Sequence, residues 1–150
     1  MTTIAYRDGV LAADGRVTLD TLILTDTCKK IRRLSDGSLF ALAGDDTIEE
    51  RLVQWLEDCE EGPPPQGKDF VGILVEAGGV VTTFHGVGDR FLPAYPEPFA
   101  AWGSGSDVAY GAMEMGATAE EAVKAACRRN MTTGGEVQVE RPGHQEPETE

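Results

Sequence analysis

The sequence predicts an α+β fold made of layered antiparallel strands and helices. Short apolar runs bounded by Gly, Pro and Asp cluster in the first third of the chain and again in its middle. Segments with apolar residues at every third or fourth position stand apart from those runs. Strands grouped separately from helices imply stacked layers rather than an alternating parallel sheet. The 150 residues suit a single domain, with no internal repeat.

The elements follow in order. Thr2 to Arg7 and Val10 to Asp14 flank Asp8-Gly9, a dipeptide suited to a two-residue hairpin turn. A second pair is expected from Leu22-Leu24, through Thr25-Asp26, to Lys29-Arg33. Ser35-Asp36-Gly37-Ser38 reads as a turn before the buried-strand run Leu39-Phe40-Ala41-Leu42-Ala43, which ends at Gly44. From Asp46 to Glu60 the apolar residues Ile48, Leu52, Val53, Trp55, Leu56 and Cys59 recur at helical spacing. Asp45, Asp46 or Thr47 can cap that helix, Glu49-Glu50 suit its first turn, and Gly62-Pro63-Pro64-Pro65 stops it. Phe70-Glu76 and Val80-Phe84 form a hairpin around Ala77-Gly78-Gly79, and residues 85–98 are irregular. After Ala100-Ala101-Trp102 the turn Gly103-Ser104-Gly105-Ser106-Asp107 leads into a helix over 108–115. Thr118-Ala119-Glu120-Glu121 has the form of a capping box and opens a helix running to Arg129. Gly135-Val139 is expected as a last strand. Residues 140–150, rich in Pro, Gly and Glu, read as a disordered acidic tail beyond a domain of residues 1–139.

Composition excludes several function classes. With 13 Lys+Arg against 26 Asp+Glu the net charge is −13, which repels phosphate backbones and anionic membrane surfaces. No apolar run is long enough to span a bilayer, and no export signal is expected at the N-terminus. Cys28, Cys59 and Cys127 are odd in number and widely spaced, and His85 and His144 are far apart. Neither a disulfide framework nor a metal site is expected, and a cytoplasmic domain with reduced thiols is. Gly86-Val87-Gly88 lacks the surroundings of a dinucleotide site, and Met113 and Met115 read as packing residues.

One constellation carries chemistry. Removal of Met1 is expected because Thr2 is small, and it would leave a hydroxyl nucleophile and an α-amine base on the same residue. The amine's ordinary pKa of about 7.7–8 suits it to take the hydroxyl proton near neutral pH. Thr2-Thr3-Ile4, Ala12-Ala13-Asp14-Gly15-Arg16, Lys29-Lys30-Ile31-Arg32-Arg33-Leu34 and Ala41-Leu42-Ala43-Gly44 follow in one order, and Trp102-Gly103-Ser104-Gly105-Ser106-Asp107 comes later. In these motifs and their spacing, from Thr2 to about Val139, the chain resembles the proteasome β-subunits, most of all the HslV-type threonine peptidases.

The resemblance implies a four-layer αββα sandwich of the N-terminal nucleophile hydrolase class. It implies Thr2 as nucleophile with its own amine as base, and Lys30 beside that amine, holding its pKa down. Asp14 would orient Lys30, Gly44 would offer its N–H to the oxyanion, and Ser104 would help relay the proton. Lys29 would point to the opposite face of its strand. Asn130 and Thr133 stand where the family carries a supporting Asp and Ser, so that shell is altered. The interval Glu61 to Lys68 is too short for the family's second helix, so one outer helical layer should be reduced. The implied function is peptide hydrolysis without cofactor or metal, in a homo-oligomeric ring taking unfolded protein from a separate ATP-driven unfoldase. A ring or scaffold protein without activity, and an amidase acting on small molecules, are the alternatives.

Overall fold

Asp8 and Gly9 take positive φ, 52° and 78°, and turn β1 (Thr3–Arg7) back onto β2 (Val10–Ala13) in the computed structural model. A two-residue turn with φ > 0 at both positions matches the twist of paired strands. The structure describes residues 1–86, 89–91 and 98–143. Next come β3 (Val17–Leu19) and β4 (Leu22–Thr25), then β5 (Ile31–Arg33) and β6 (Leu39–Gly44). A 3-10 helix, Asp46–Ile48, leads into α1 (Glu49–Glu57), capped by Asp45, whose carboxylate accepts from the Thr47 N–H. That hydrogen bond holds the Asp45 carboxyl below its ordinary pKa. β7 (Phe70–Val75), β8 (Val81–His85), β9 (Asp89–Phe91) and β10 (Phe99–Gly103) precede α2 (Ser106–Glu114), α3 (Ala119–Arg129) and β11 (Gln138–Glu140). Thr118 and Glu121 close the capping box of α3 reciprocally.

The strands form two main antiparallel sheets. One has the order β10-β1-β2-β11, the other β5-β6-β7-β8-β9. Because side chains alternate along a strand, each sheet has an inner and an outer face. Ile4, Leu11 and Ala13 of the first sheet meet Leu39, Ala41 and Ile73 of the second between the sheets. The outer face of the first sheet presents Ala5, Ala12 and Ala101, small enough for α2 and α3 to approach through Met113, Ala122 and Val123. The outer face of the second packs Phe40, Leu74 and Phe84 against Ile48 and Leu52. The result is the expected four-layer αββα sandwich, in which α1 and the 3-10 helix before it are, among the described residues, the helices on one outer face. The proline-rich stretch after α1 has no room for a second helix.

Several expectations change. The second hairpin is β3 with β4, whereas β5 begins only at Ile31 and pairs with β6. Leu19, Leu22, Ile23 and Leu24 on that hairpin are exposed, so β3 lacks the apolar alternation that marks a strand. Met113 is buried as expected, but Met115 is 88 % exposed. The ordered chain runs past Val139: Arg33 donates to the carbonyls of Arg141 and Gly143 and pairs with Glu140. The rest of the acidic tail with His144, and Val87 and Gly88, lie outside the described residues. No helix among the described residues is long and apolar enough to cross a membrane, and no group of His, Cys, Asp or Glu there could hold a metal ion. Cys28, Cys59 and Cys127 are free thiols.

Candidate active site

Thr2 and Thr3 enter β1 with opposite fates. Thr3 is fully buried, and its hydroxyl accepts from the Gly105 N–H at 2.9 Å and shares a hydrogen bond with Thr133 Oγ1 at 2.7 Å. Thr2 is half-buried and borders a cavity of about 110 Å³ together with Lys30, Leu42 and Gly44. The turn Gly103-Ser104-Gly105 receives both threonines. The Ser104 N–H donates to the Thr2 carbonyl at 3.0 Å, and a Cβ on Gly105 would press against Thr3 Oγ1. Glycine is needed there because the Thr3 side chain and the Ala126 Cβ leave no room for a further carbon.

Asp14, at the end of β2 and wholly buried, gathers donors from distant segments. Its Oδ1 accepts from Lys30 Nζ at 2.9 Å and the Thr3 N–H at 3.0 Å; its Oδ2 accepts from Gly134 N–H at 3.1 Å and Arg16 N–H at 3.3 Å. A buried carboxylate with this many donors is compensated, which its position between the layers requires. Lys30, 9 % exposed, also donates to the carbonyls of Arg16 at 2.6 Å and Met1 at 3.3 Å. The Met1 carbonyl carbon is bonded to the Thr2 nitrogen, so the ammonium stands one peptide unit from that nitrogen. Lys29 is exposed.

Gly44 has φ +104°, and a Cβ there would overlap the Asp69 carbonyl oxygen. Packing alone therefore demands a glycine at this position. It also leaves the cavity wall bare of side chain beside Thr2. Ser104 Oγ lies 3.3 Å from Thr133 Oγ1 and 3.2 Å from Thr132 Oγ1. Asn130 donates from Nδ2 to the Ser104 carbonyl at 2.9 Å, while its Oδ1 accepts from the Thr132 N–H at 2.9 Å. An aspartate could accept but not donate, so the amide satisfies both sides of this loop. The structure thus brings the seven candidates near one another: Thr2, Lys30 and Gly44 border the cavity, Asp14 is buried against Lys30, and Ser104, Asn130 and Thr133 are hydrogen-bonded to one another and to the start of the chain at Thr2 and Thr3.

No family model matches the chain. Solved structures do. Thiobacillus denitrificans BPH is 20% identical, covering 96% of this chain and 99% of its own, at a TM-score of 0.68. The same protein in complex with epoxomicin aligns at 0.67, with 19% identity over 95% of this chain and 99% of that one. Eukaryotic HslV from Trypanosoma brucei aligns at 0.71, with 19% identity over 92% and 97%. The chain shares their fold. The likeness to HslV read from short motifs thus extends, as architecture, along nearly the whole length.

Some residues at the site were given no role by the sequence, although Arg16 and Thr3 stand within the motifs. Arg16 forms a two-pronged pair with Asp26, Nε to Oδ1 at 2.8 Å and Nη2 to Oδ2 at 3.2 Å. This pair holds the Asp26 carboxyl below its ordinary pKa and raises that of the guanidinium. It fixes the backbone whose carbonyl Lys30 binds. Thr132 and Thr3 were legible only as ordinary hydroxyl residues. Cys28, Asp46 and Glu49 also border the cavity, and nothing in their spacing set them apart.

Proposed function

We propose that the chain is a threonine peptidase whose nucleophile is Thr2 once Met1 has been removed. The observation that carries this reading is the buried Lys30 ammonium, held by Asp14 and touching the Met1 carbonyl. Removing Met1 turns the adjacent amide nitrogen into an amine, and a neighbouring fixed cation keeps that amine unprotonated. The free amine accepts the Thr2 hydroxyl proton as Oγ bonds to a peptide carbonyl carbon. The N–H of Gly44 faces the resulting oxyanion. As the C–N bond breaks, the leaving amine takes the proton, leaving an ester on Thr2. Water then adds to the ester with the same amine as base, releasing the carboxylic acid and restoring the hydroxyl. Ser104, with Thr133 and Asn130, positions the start of β1 for this exchange.

On the motif resemblance to HslV-type peptidases, the reading extends to a homo-oligomeric ring acting on unfolded protein supplied by an ATP-driven unfoldase in the cytoplasm; the solved structures supply the shared fold. A ring protein without activity would have the same architecture, but a buried ion pair is costly to keep without a task for it. The test combines intact mass, labelling and sedimentation. Purified protein should lack Met1 and gain one equivalent of a peptide epoxyketone on Thr2, and Thr2→Ala should not label. It should also sediment as a large homo-oligomer. Labelled protein that retains Met1 would remove the amine from the mechanism, and a monomer at micromolar concentration would remove the ring.

A further inference from the structure

A second cavity, of about 160 Å³, lies by the end of α1 on the outer face of the second sheet. Phe40 and Leu74 mark that face, and side chains alternate along a strand. Ser38, two residues before Phe40, and Glu76, two after Leu74, therefore project from the same face, and both border the cavity. Continuing the β6–β7 register past Leu39 and Val75 sets Ser38 opposite Glu76. Cys59 and Glu60 also border it, where the chain leaves α1 through two consecutive residues at positive φ, 56° and 61°.

Ser38 is only 2 % exposed. Its backbone is fully used: the N–H donates to Asp36 Oδ1 at 2.9 Å, and the carbonyl accepts from the Leu34 N–H at 2.8 Å. Its hydroxyl makes no hydrogen bond among the described residues. Leaving a buried hydroxyl unpaired costs stability. Half-buried Glu76 likewise makes no side-chain hydrogen bond or ion pair among the described residues. The described residues bordering the cavity include no lysine or arginine. Arg32 and Arg33, the cations of β5, are held by Glu50 and Glu140. No group of His, Cys, Asp or Glu among the described residues could hold a metal ion, so the acids here suit an organic cation.

We propose that this cavity binds an alkylammonium group, the chemistry of a lysine side chain. The three N–H donors of an ammonium match three acceptors: a Glu76 oxygen, the Ser38 hydroxyl and the second carboxylate oxygen of Asp36. Leu34, Leu56 and Leu74 meet the methylene stem. An apolar group would leave Ser38 and Glu76 without partners, and an anion would meet like charges. The net charge of −13 draws cations to the molecule as a whole. The inference goes beyond the peptidase reading. Ser38 precedes β6 and Gly44 ends it, so about 20 Å of extended strand separates this cavity from the one beside Thr2.

Cys59, exposed beside the cavity, is the reporter. Its alkylation by N-ethylmaleimide near neutral pH is followed by peptide mass spectrometry on the purified full chain, with Cys28 and Cys127 as internal controls. Cadaverine supplies the ammonium as a free amine, and Nα-acetyl-lysine methylamide supplies it as a side chain. The norleucine analogue has the stem without the charge, and sodium chloride matches the ionic strength. Either amine at about 10 mM should slow Cys59 alkylation about threefold or more and leave the other two thiols unchanged. Glu76→Gln should raise the concentration giving half protection about tenfold, the effect of one charge-assisted hydrogen bond. Ser38→Ala, which removes a hydroxyl the fold does not use, should raise it by a smaller factor. Stronger protection by cadaverine assigns the site to small free amines, and stronger protection by the lysine derivative assigns it to a lysine of a protein partner. Absence of protection by both amines overturns the proposal. Equal slowing by the norleucine analogue or by salt overturns it too, as does protection that Glu76→Gln leaves unchanged.

Discussion

A Cβ on Gly103 would overlap the carbonyl oxygen of Thr2. Gly103, the last residue of β10, pairs in register with Thr3, the first residue of β1; it takes φ +99°, and the next N–H, of Ser104, binds the Thr2 carbonyl. The close approach holds the backbone of the proposed nucleophile, and it exists because position 103 has no side chain.

Gly103→Ala should therefore lower stability by about 1–3 kcal/mol through backbone strain, with the overlap adding to it. It should also slow epoxyketone labelling of whatever fraction remains folded. Urea unfolding and labelling by mass spectrometry measure the two effects separately. A variant as stable and as reactive as wild type would show that this contact does not hold Thr2.

Lys30 and Lys29 are adjacent lysines with different environments. Lys30→Ala leaves the wholly buried Asp14 carboxylate without its cation and should cost about 3–5 kcal/mol. Lys29→Ala, at an exposed position, should change stability by less than about 0.5 kcal/mol and still label. The double variant Lys30→Ala/Asp14→Ala should recover part of the stability without recovering labelling, which separates the structural role of the pair from its chemical one. Labelling that returns with stability would confine Lys30 to the fold.

Glu49 should weaken the fold at neutral pH. Its folded carboxyl titrates above its ordinary range because burial opposes the charge. The folded state then binds the proton more tightly than the unfolded one, so this group's contribution is full at acid pH and is lost as pH rises through the folded pKa. Glu49→Gln should have a higher Tm than wild type at pH 7, and the difference should shrink as pH falls through the carboxylate range. Thermal unfolding across that range measures it. A variant less stable at pH 7, or a difference independent of pH, would mean the carboxylate has a favourable partner.

Features set by neighbouring residues were legible from the chain alone. The Asp8-Gly9 turn, the Thr118 capping box and the helical spacing that buries Ile48 and Leu52 all involve residues within one turn or one hairpin. Sequence reading failed where a distant segment overrides a local pattern. β3 pairs without apolar alternation because its hairpin lies outside the two packed sheets. Lys29 and Lys30 resemble a strand start, yet Lys30 is drawn to Asp14 and β5 begins one residue later. Glu140 reads as tail until Arg33 binds it. Asp46 and Glu49 look like ordinary first-turn acids until the cavity stands beside them.

By itself the sequence determined the α+β order of elements, the thinned outer helical layer and the set of residues from which a site could be made. Only the tertiary structure decided that Thr3 is buried against Thr133 while Thr2 faces a cavity, and that Asp14 unites Thr3, Lys30, Arg16 and Gly134. The reason is range. Propensity and periodicity act over a few residues, whereas Thr3 and Thr133 meet across a sequence separation of 130. Their contact exists only once the sheet and the helices packed on it have brought both ends of the chain together.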